Sequence, residues 1–410
     1  MTDITVSVVI VSRDRAQALM RCLLGVSQLQ FPAFEVIVVA DPTGIAAAEK
    51  MPFAELLKLV PFDEANISEA RNLGLVHAAG DVVAFIDDDA IPEPQWLRYL
   101  TAPVVKPNVA AMTGFVRGRN GISFQWRAQG LNGLGQPGGL EVDATQATVL
   151  TPPKGRAIKT EGTNMAFRRD VLVAIGGFDP AFHYYLEETD LNMRLARAGH
   201  ATAISPLAEV HHGFAPNRMR RADRVPSDLF DIGASWAVFA RKYIPDADRE
   251  LHWQTIRTAE RRRLLSHMCA GRLEPRDISR LLGRLDGGHS NGLLRAITTT
   301  KLPNHPASPF KAFPYEPKAS ILIQTRLIGA RAAQDRAAAH VAEGGIATVI
   351  ILSLTSAFHR LSFNDQGVWV QRGGQFGRSD RGGKLVQVTH FRRRVRQERA
   401  RIALQRGLIN

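Results

Sequence analysis

Cysteine is nearly absent from this chain: Cys22 and Cys269 are its only two, far apart and in helix-like surroundings. That excludes a disulfide framework and a cysteine zinc site, and both thiols are expected to be reduced and buried. A long apolar run is missing too. The longest, "GGIATVIILSLTSAF", is too short and too strand-like to span a membrane. The start, "MTDITVSVVIVSRDR", lacks the basic segment and cleavage site of a secretory signal. A cytoplasmic protein is expected. No internal repeat at a fixed period is present.

Negative charge is scarce at one end. Residues 301–410 hold 18 Lys and Arg against 6 Asp and Glu, so they carry nearly all of the net +13. The first 300 residues are close to neutral. A neutral body with a basic, partner-binding end is the simplest reading.

Within the body, "TVSVVIV", "FEVIVVAD" and "DVVAFI" are apolar, β-branched runs suited to buried parallel strands. "AQALMRCLLGVSQL" and "ISEARNLGLVHAAG" read as helices between them, the second with Ser68 as cap and Gly80 as stop. This alternation predicts an α/β fold with a mostly parallel sheet flanked by helices. Ligand sites in such sheets lie at the C-terminal strand ends, which hold "SRDR", Asp41 and the aspartates at 87–89. Residues 115–160 are Gly- and Pro-rich and read as a long irregular excursion. The expected divisions are 1–225, a helical extension over 226–300, a Pro-rich linker over 301–317 and a small basic α/β domain over 318–410. In that last part a strand, helix and strand precede a hairpin turning at "NDQG" and a final helix, "HFRRRVRQERARIALQRG".

Three groups of residues carry candidate chemistry. "DVVAFIDDDAIPEP" sets Asp87, Asp88 and Asp89 side by side at a strand end. Such a stretch suits a solvated turn, or a hard cation, since Mg²⁺ and Mn²⁺ take carboxylate oxygens and complete their shells with phosphate and water. "YYLEETDLNMRLARAGH" crowds Glu187, Glu188 and Asp190 at a helix start. One carboxylate there would satisfy the helix dipole, worth about 0.3–1 kcal/mol; three leave one over for another task, such as a general base. "AEVHHGF" places His211 and His212 after a short strand, where either could meet a metal or phosphate.

The landmarks "SRDR", "VIVVAD", "NISEARNLGLVHAAGD", "FIDDD", "GTNMAFRR", "GGFDPAF", "EETDLNMRL" and "VHHG" occur in an order that resembles glycosyltransferase family 2, with the GT-A fold, over residues 1–215 or so. The resemblance implies inverting transfer from a nucleotide-diphosphate sugar with Mn²⁺ or Mg²⁺ to a carbohydrate or lipid-linked acceptor. Asp87 and Asp89 match the ends of the family's Asp-x-Asp motif, Asp89 on the metal. Glu188 matches the base position, where aspartate is more usual, with Glu187 and Asp190 in support. Ser12, Asp41, Asn66, Arg71, Asp87 and Asp88 fall among the nucleotide-lining positions, and His211 or His212 matches a histidine that approaches the metal. Where the family often has two acidic or amide residues after the second strand, this chain has Ala40, Asp41 and Pro42, so the resemblance does not choose the base.

Two other classes stand against this reading. A metal-dependent nucleotidyltransferase should carry a Gly-rich loop where this chain has "SRDRAQ". A nucleic-acid-binding protein should interleave aromatics with its basic residues, which the tail does not do, so no nucleic acid is expected. Arg392, Arg396 and Arg399 at helical spacing instead suggest either a solvated helix on its own domain or peripheral contact with anionic lipid at the inner face of the membrane.

Overall fold

An apolar strand is stable in a parallel sheet only if both its faces are covered. The first strand, Val6–Ser12 (β1), meets that demand. Val8 and Ile10 pack with Leu19, Cys22 and Leu23 of the helix Ala16–Val26 (α1), while Val9 packs with Ala70 and Leu75 of a second helix on the other face. We analysed a computed structural model that describes residues 4–298 and 300–408. Residues 1–3, Thr299 and 409–410, at the edges of the expected divisions, lie outside the described residues.

Following β1 and α1 come Phe34–Ala40 (β2), the short helix Pro42–Ala48 (α2), Leu57–Pro61 (β3), Ile67–His77 (α3), Val82–Asp87 (β4), Ala90–Pro92 (β5) and Val109–Arg117 (β6). Strands β3, β2, β1 and β4 run parallel, side by side. Met165–Arg168 is inserted antiparallel between β4 and β6, and the long strand Ala201–His212 lies parallel to β6. The fold is therefore the expected mostly parallel sheet flanked by helices.

Local details differ from the sequence reading. Asn66, not Ser68, caps α3, accepting from the Ser68 and Glu69 amides at 3.1 and 3.2 Å. The helix closes at His77, before Gly80. The edge strand β3 was not foreseen. Part of the 115–160 excursion forms a three-stranded sheet from Gln129–Leu131, Pro137–Gly139 and Ala157–Lys159. His211 and His212 end a 12-residue strand rather than follow a short one. Cys22 is buried but Cys269, at the end of an exposed helix, is not.

Three helices follow, Phe230–Tyr243, Asp246–Cys269 and Pro275–Leu294, the last unforeseen. The first and third cross in backbone contact. A side chain on Gly288 would overlap the carbonyl of Phe230, and one on Gly292 that of Ala234. Residues 301–317 contain neither helix nor strand, yet Phe313 is buried and stacks on Phe34 at 5.1 Å. Beyond them Ser320–Thr325, Ile346–Ser353 and Trp369–Gly374 run parallel, with Arg360–Phe363 antiparallel at the edge. The helix Ala330–Ala342 packs through Ala333 and Ala337, and the last helix, Phe391–Arg406, packs Val395 against Ile350 and Leu352. Trp369, Phe363 and Leu361 meet Ile91 and Leu24 of the first half.

The helix crossing yields a test with an internal control. Gly288→Ala should destabilise the protein by about 1–3 kcal/mol through overpacking. Gly283→Ala lies in the same helix with open space around it, and should stabilise by up to about 1 kcal/mol. Denaturant midpoints of the two variants should move in opposite directions; movement in the same direction would mean the crossing is not close-packed.

Candidate active site

The turn Asp88–Asp89 joins β4 to β5, and both of its aspartates are buried. Asp87 closes β4 with its side chain 29% exposed, whereas Asp88 is fully buried. Asp88 accepts from Ser12 Oγ at 2.7 Å and meets Arg15 Nη2 at 2.5 Å. Burial pushes its carboxyl up to about 7, with the Asp89 and Asp87 charges adding to the shift and Arg15 and Ser12 opposing it. Asp89 behaves in the opposite way. Burial would raise it too, but His212, Arg15 and the Ala215 amide bring it down to about 2. Its Oδ1 lies 3.3 Å from His212 Nε2, and its Oδ2 accepts from Ala215 N at 2.6 Å.

Donor atoms of Asp87, Asp89 and His212 lie within 4.8 Å of one another. Two carboxylates and an imidazole are a donor set that fits a hard divalent cation with phosphate or water completing the shell. Of the paired histidines, His212 is the one that meets the aspartates. His211 instead bonds Glu93 at 2.8 Å and packs against Trp369. His212 is held above its usual range, since the Asp89 bond and charge outweigh its burial. It would have to be neutral to ligate a metal.

The second acidic group starts the helix Glu187–Arg197. Tyr185 and Leu186, just before it, both have left-handed backbones, at φ 74° and 68°. That conformation costs a non-glycine residue about 1–3 kcal/mol, so the surroundings must impose it. Leu186 is anchored in the core beside Phe182 and Trp236, and the Tyr185 ring rests on Trp236. No feature of the sequence announces this turn.

The three carboxylates there have different surroundings. Asp190 is fully buried and bound by Arg194, Lys242 and the Tyr243 hydroxyl, so it anchors the helix. Glu187 is buried against Arg71 at 2.8 Å; burial and then the charge of Glu188 push it up to about 7 despite Arg71. Glu188 keeps 15% of its side chain exposed and meets Lys159 Nζ at 3.2 Å. Burial would raise it, yet Lys159 and Arg71 hold it below the usual carboxylate range.

A cavity of about 250 Å³ opens at the ends of β1 and β2, lined in part by Ser12, Arg15, Phe62, Asn66, His183 and Met219. Asp41 and Arg71 do not line it. Asp41 caps α2, accepting from Thr43 Oγ1 at 2.5 Å and Gly44 N at 3.3 Å. Arg71 is 3% exposed and reaches both Glu187 and, at 3.5 Å, Asp87. Two cations escaped the sequence reading, Arg15 and Lys159. Arg15 lies in the "SRDR" stretch already noted at a strand end; Lys159 pairs with its neighbour Glu161 at 2.9 Å, and its second partner, Glu188, is remote in sequence.

These landmarks coincide with known sequences. The model of the family described as "Glycosyltransferase like family 2" matches residues 4–224. The O-antigen biosynthesis protein RfbC of Myxococcus xanthus is 25% identical over 255 residues, 59% of this chain and 20% of that protein. The succinoglycan biosynthesis protein ExoM of Rhizobium meliloti is 30% identical over 189 residues, 44% of this chain and 55% of that one. Among solved structures, the mannosyltransferase PcManGT from Pyrobaculum calidifontis, in complex with GDP-Man and Mn²⁺, aligns with 71% of this chain and 87% of its own at 17% identity and a TM-score of 0.42. The chain spans 20% to 55% of the length of the curated relatives it matches. With more than half of its residues matched by the family's model, the chain belongs to the glycosyltransferases of family 2.

Proposed function

We propose that the chain is a metal-dependent, inverting glycosyltransferase moving a sugar from a nucleotide-diphosphate sugar to a hydroxyl of a surface-polysaccharide or lipid-linked acceptor. The observation that carries the reading is Arg71, whose guanidinium binds Asp87 on one side and Glu187 on the other. It brings a residue of the metal-type group and one of the base-type group to the same guanidinium. On this reading residues 1–225 carry the chemistry, 226–300 brace the base-bearing helix, 301–317 connect, and 318–410 form the accessory domain.

Each residue then has a task. Ser12 and Asn66 line the nucleotide cavity, while Asp41 and Asp88 support it from behind, Asp88 by holding Arg15. Asp87, Asp89 and His212 would hold Mn²⁺ or Mg²⁺, and a bound ion would offset the charge that develops on the leaving diphosphate. Arg15 adds a second positive group at the same place. A sugar hydroxyl is a poor nucleophile, so Glu188 takes its proton as the new bond forms. Lys159 keeps Glu188 ionised for that purpose. Attack opposite the leaving group inverts the anomeric carbon. The names of the relatives, O-antigen and succinoglycan biosynthesis, support the acceptor class.

Asp89→Asn should abolish Mn²⁺-dependent turnover without unfolding the protein, because the amide can still accept from Ala215. Full turnover at ordinary Mn²⁺, with native circular dichroism, would remove Asp89 from the metal site.

Two substitutions test the base. Glu188→Gln should lower turnover by about 10² or more while donor binding persists; if both fall together, Glu187 or Asp190 becomes the candidate. Lys159→Met removes the charge that depresses Glu188, so the base should protonate at higher pH. The acid limb of kcat/KM should shift upward, and an unmoved limb would assign it to another group.

No helix among the described residues is long and apolar enough to cross a membrane. We propose peripheral contact through the exposed Arg392, Arg393 and Arg396, each worth about 1 kcal/mol near an anionic surface and screened by salt. Changing all three to Gln should abolish low-salt binding to anionic vesicles; unchanged binding would assign the helix to packing alone.

A further inference from the structure

The buried arginine at the end of the last helix, Arg406, has no exposed surface and lies far outside the family-matched residues. Its Nε and Nη2 grip both oxygens of Glu93 at 2.9 and 2.8 Å. Its Nη1 reaches Thr348 Oγ1 at 3.1 Å, and its guanidinium lies 4.3 Å over the Trp369 ring. This is the bidentate, stacked geometry that arginine serves and lysine does not.

Glu93 sits one residue beyond β5, whose three residues pair with the end of the strand Ala201–His212. The register sets Ala90 opposite His212 and Ile91 opposite His211. Asp89 directly precedes β5, and its carbonyl accepts from Gly213 N at 2.7 Å. At the other end Glu93 N donates to Glu209 O at 3.0 Å. Two members of the proposed metal group, Asp89 and His212, thus cap one end of a very short ladder, and the Glu93 carboxylate caps the other. Glu93 also accepts from His211, the residue beside His212. Among the described residues, the ion-pair partners of Glu93 are His211 and Arg406. A three-residue strand between turns has little to fix it on its own. Besides its packing on α1 at Gly25, these side-chain ties hold it, and the bidentate one comes from the C-terminal domain.

We propose that Arg406 is a positioning residue for the metal site: through Glu93 and His211 it fixes the ladder that presents Asp89 and His212. The inference rests on the proposed metal reading of those two residues. It gives the C-terminal domain a part in the chemistry without contact with substrate. A cavity of about 310 Å³, walled by Asp89 and His212 on one side and Leu361, Phe363 and Trp369 on the other, shows how near that domain comes to the site.

The test is Mn²⁺ alone, titrated calorimetrically into the folded 410-residue chain and its variants. Residues that orient metal ligands typically cost about 10–100-fold in affinity when changed. Arg406→Met should weaken Mn²⁺ binding by at least about 10-fold on that scale, with Arg406→Lys intermediate because its ammonium cannot grip both oxygens. His212→Ala combined with Arg406→Met should lose less than the sum of the two single losses, since part of the effect of Arg406 passes through His212. Where the single methionine variant fails to fold, Glu93→Gln with Arg406→Met leaves no unpaired buried charge and should show the same weakened binding. Mn²⁺ affinity within twofold of the parent in the folded Arg406 variants, or additive losses with His212→Ala, would overturn the inference and leave Arg406 as a structural tie. Asp89→Asn separates the two readings: if it too leaves Mn²⁺ affinity unchanged, the metal site itself is wrong.

Discussion

One guanidinium, that of Arg71, holds the two acidic groups of the candidate site against each other. Two like charges 4 Å apart repel by about 4 kcal/mol at an effective dielectric of 20, and withdrawal from water makes each carboxylate costlier still. A cation between them turns repulsion into attraction on both sides. Arg71 is buried between Asp87 and Glu187, with the Phe178 ring 5.3 Å from its guanidinium. It therefore ties the end of β4 to the start of the helix Glu187–Arg197. The other carboxylates are matched in the same way: Asp88 by Arg15, Glu188 by Lys159, and Asp190 by Arg194 and Lys242. Adjacent acids can be kept together here because cations stand between them, Arg71 and Arg15 each serving two.

The carboxylates were legible in the sequence and their pairing with cations was not: Arg71 was named, but not as the partner of Glu187. An apolar run ending in three aspartates identifies a strand and its end, because both signals are local. The pairing of Arg71 with Glu187 spans 116 positions, and that of Arg406 with Glu93 spans 313. No periodicity connects residues so far apart. Local chemistry also has local limits. Asp41 is at a strand end, as read, but it is followed by Pro42, which starts a helix, and its carboxylate caps that helix. Asn66 displaces Ser68 as the cap of α3 because the helix begins at Ile67, two residues before the start a Ser68 cap would set. The strand β3 was missed because its sequence, "LKLVP", is short and carries a charge and a proline, as edge strands do.

The basic tail shows what composition conceals. Its net charge suggested one exposed surface, yet two of its arginines are among the most deeply buried large side chains of the molecule. Arg394 pairs with Glu398 along the helix, and Glu398 also binds Ser379 and Gln371. Arg406 pairs with Glu93 in the other half. Counting charges averages over these roles. Arg392, Arg393, Arg396 and Arg401 stay exposed, while Val395 of the same helix packs on the sheet. The apolar stripe, although narrow, is enough to sort the arginines into an inner and an outer set.

The same sorting operates over two residues at the end of the strand Ala201–His212. Successive side chains in a strand point to opposite faces. His212 therefore meets Asp89, while His211 meets Glu93 and Trp369. A slip of one residue in the pairing with β5 would exchange them, presenting Asp89 with a histidine that belongs to the domain interface. The register is held on both sides: by Gly213 and Ala215, whose amides bond Asp89, and by Arg406, which holds Glu93. Two identical neighbours can thus serve different ends because the strand has one register. That register is defined by ties which begin in the family-matched half and end in the last turn of the last helix.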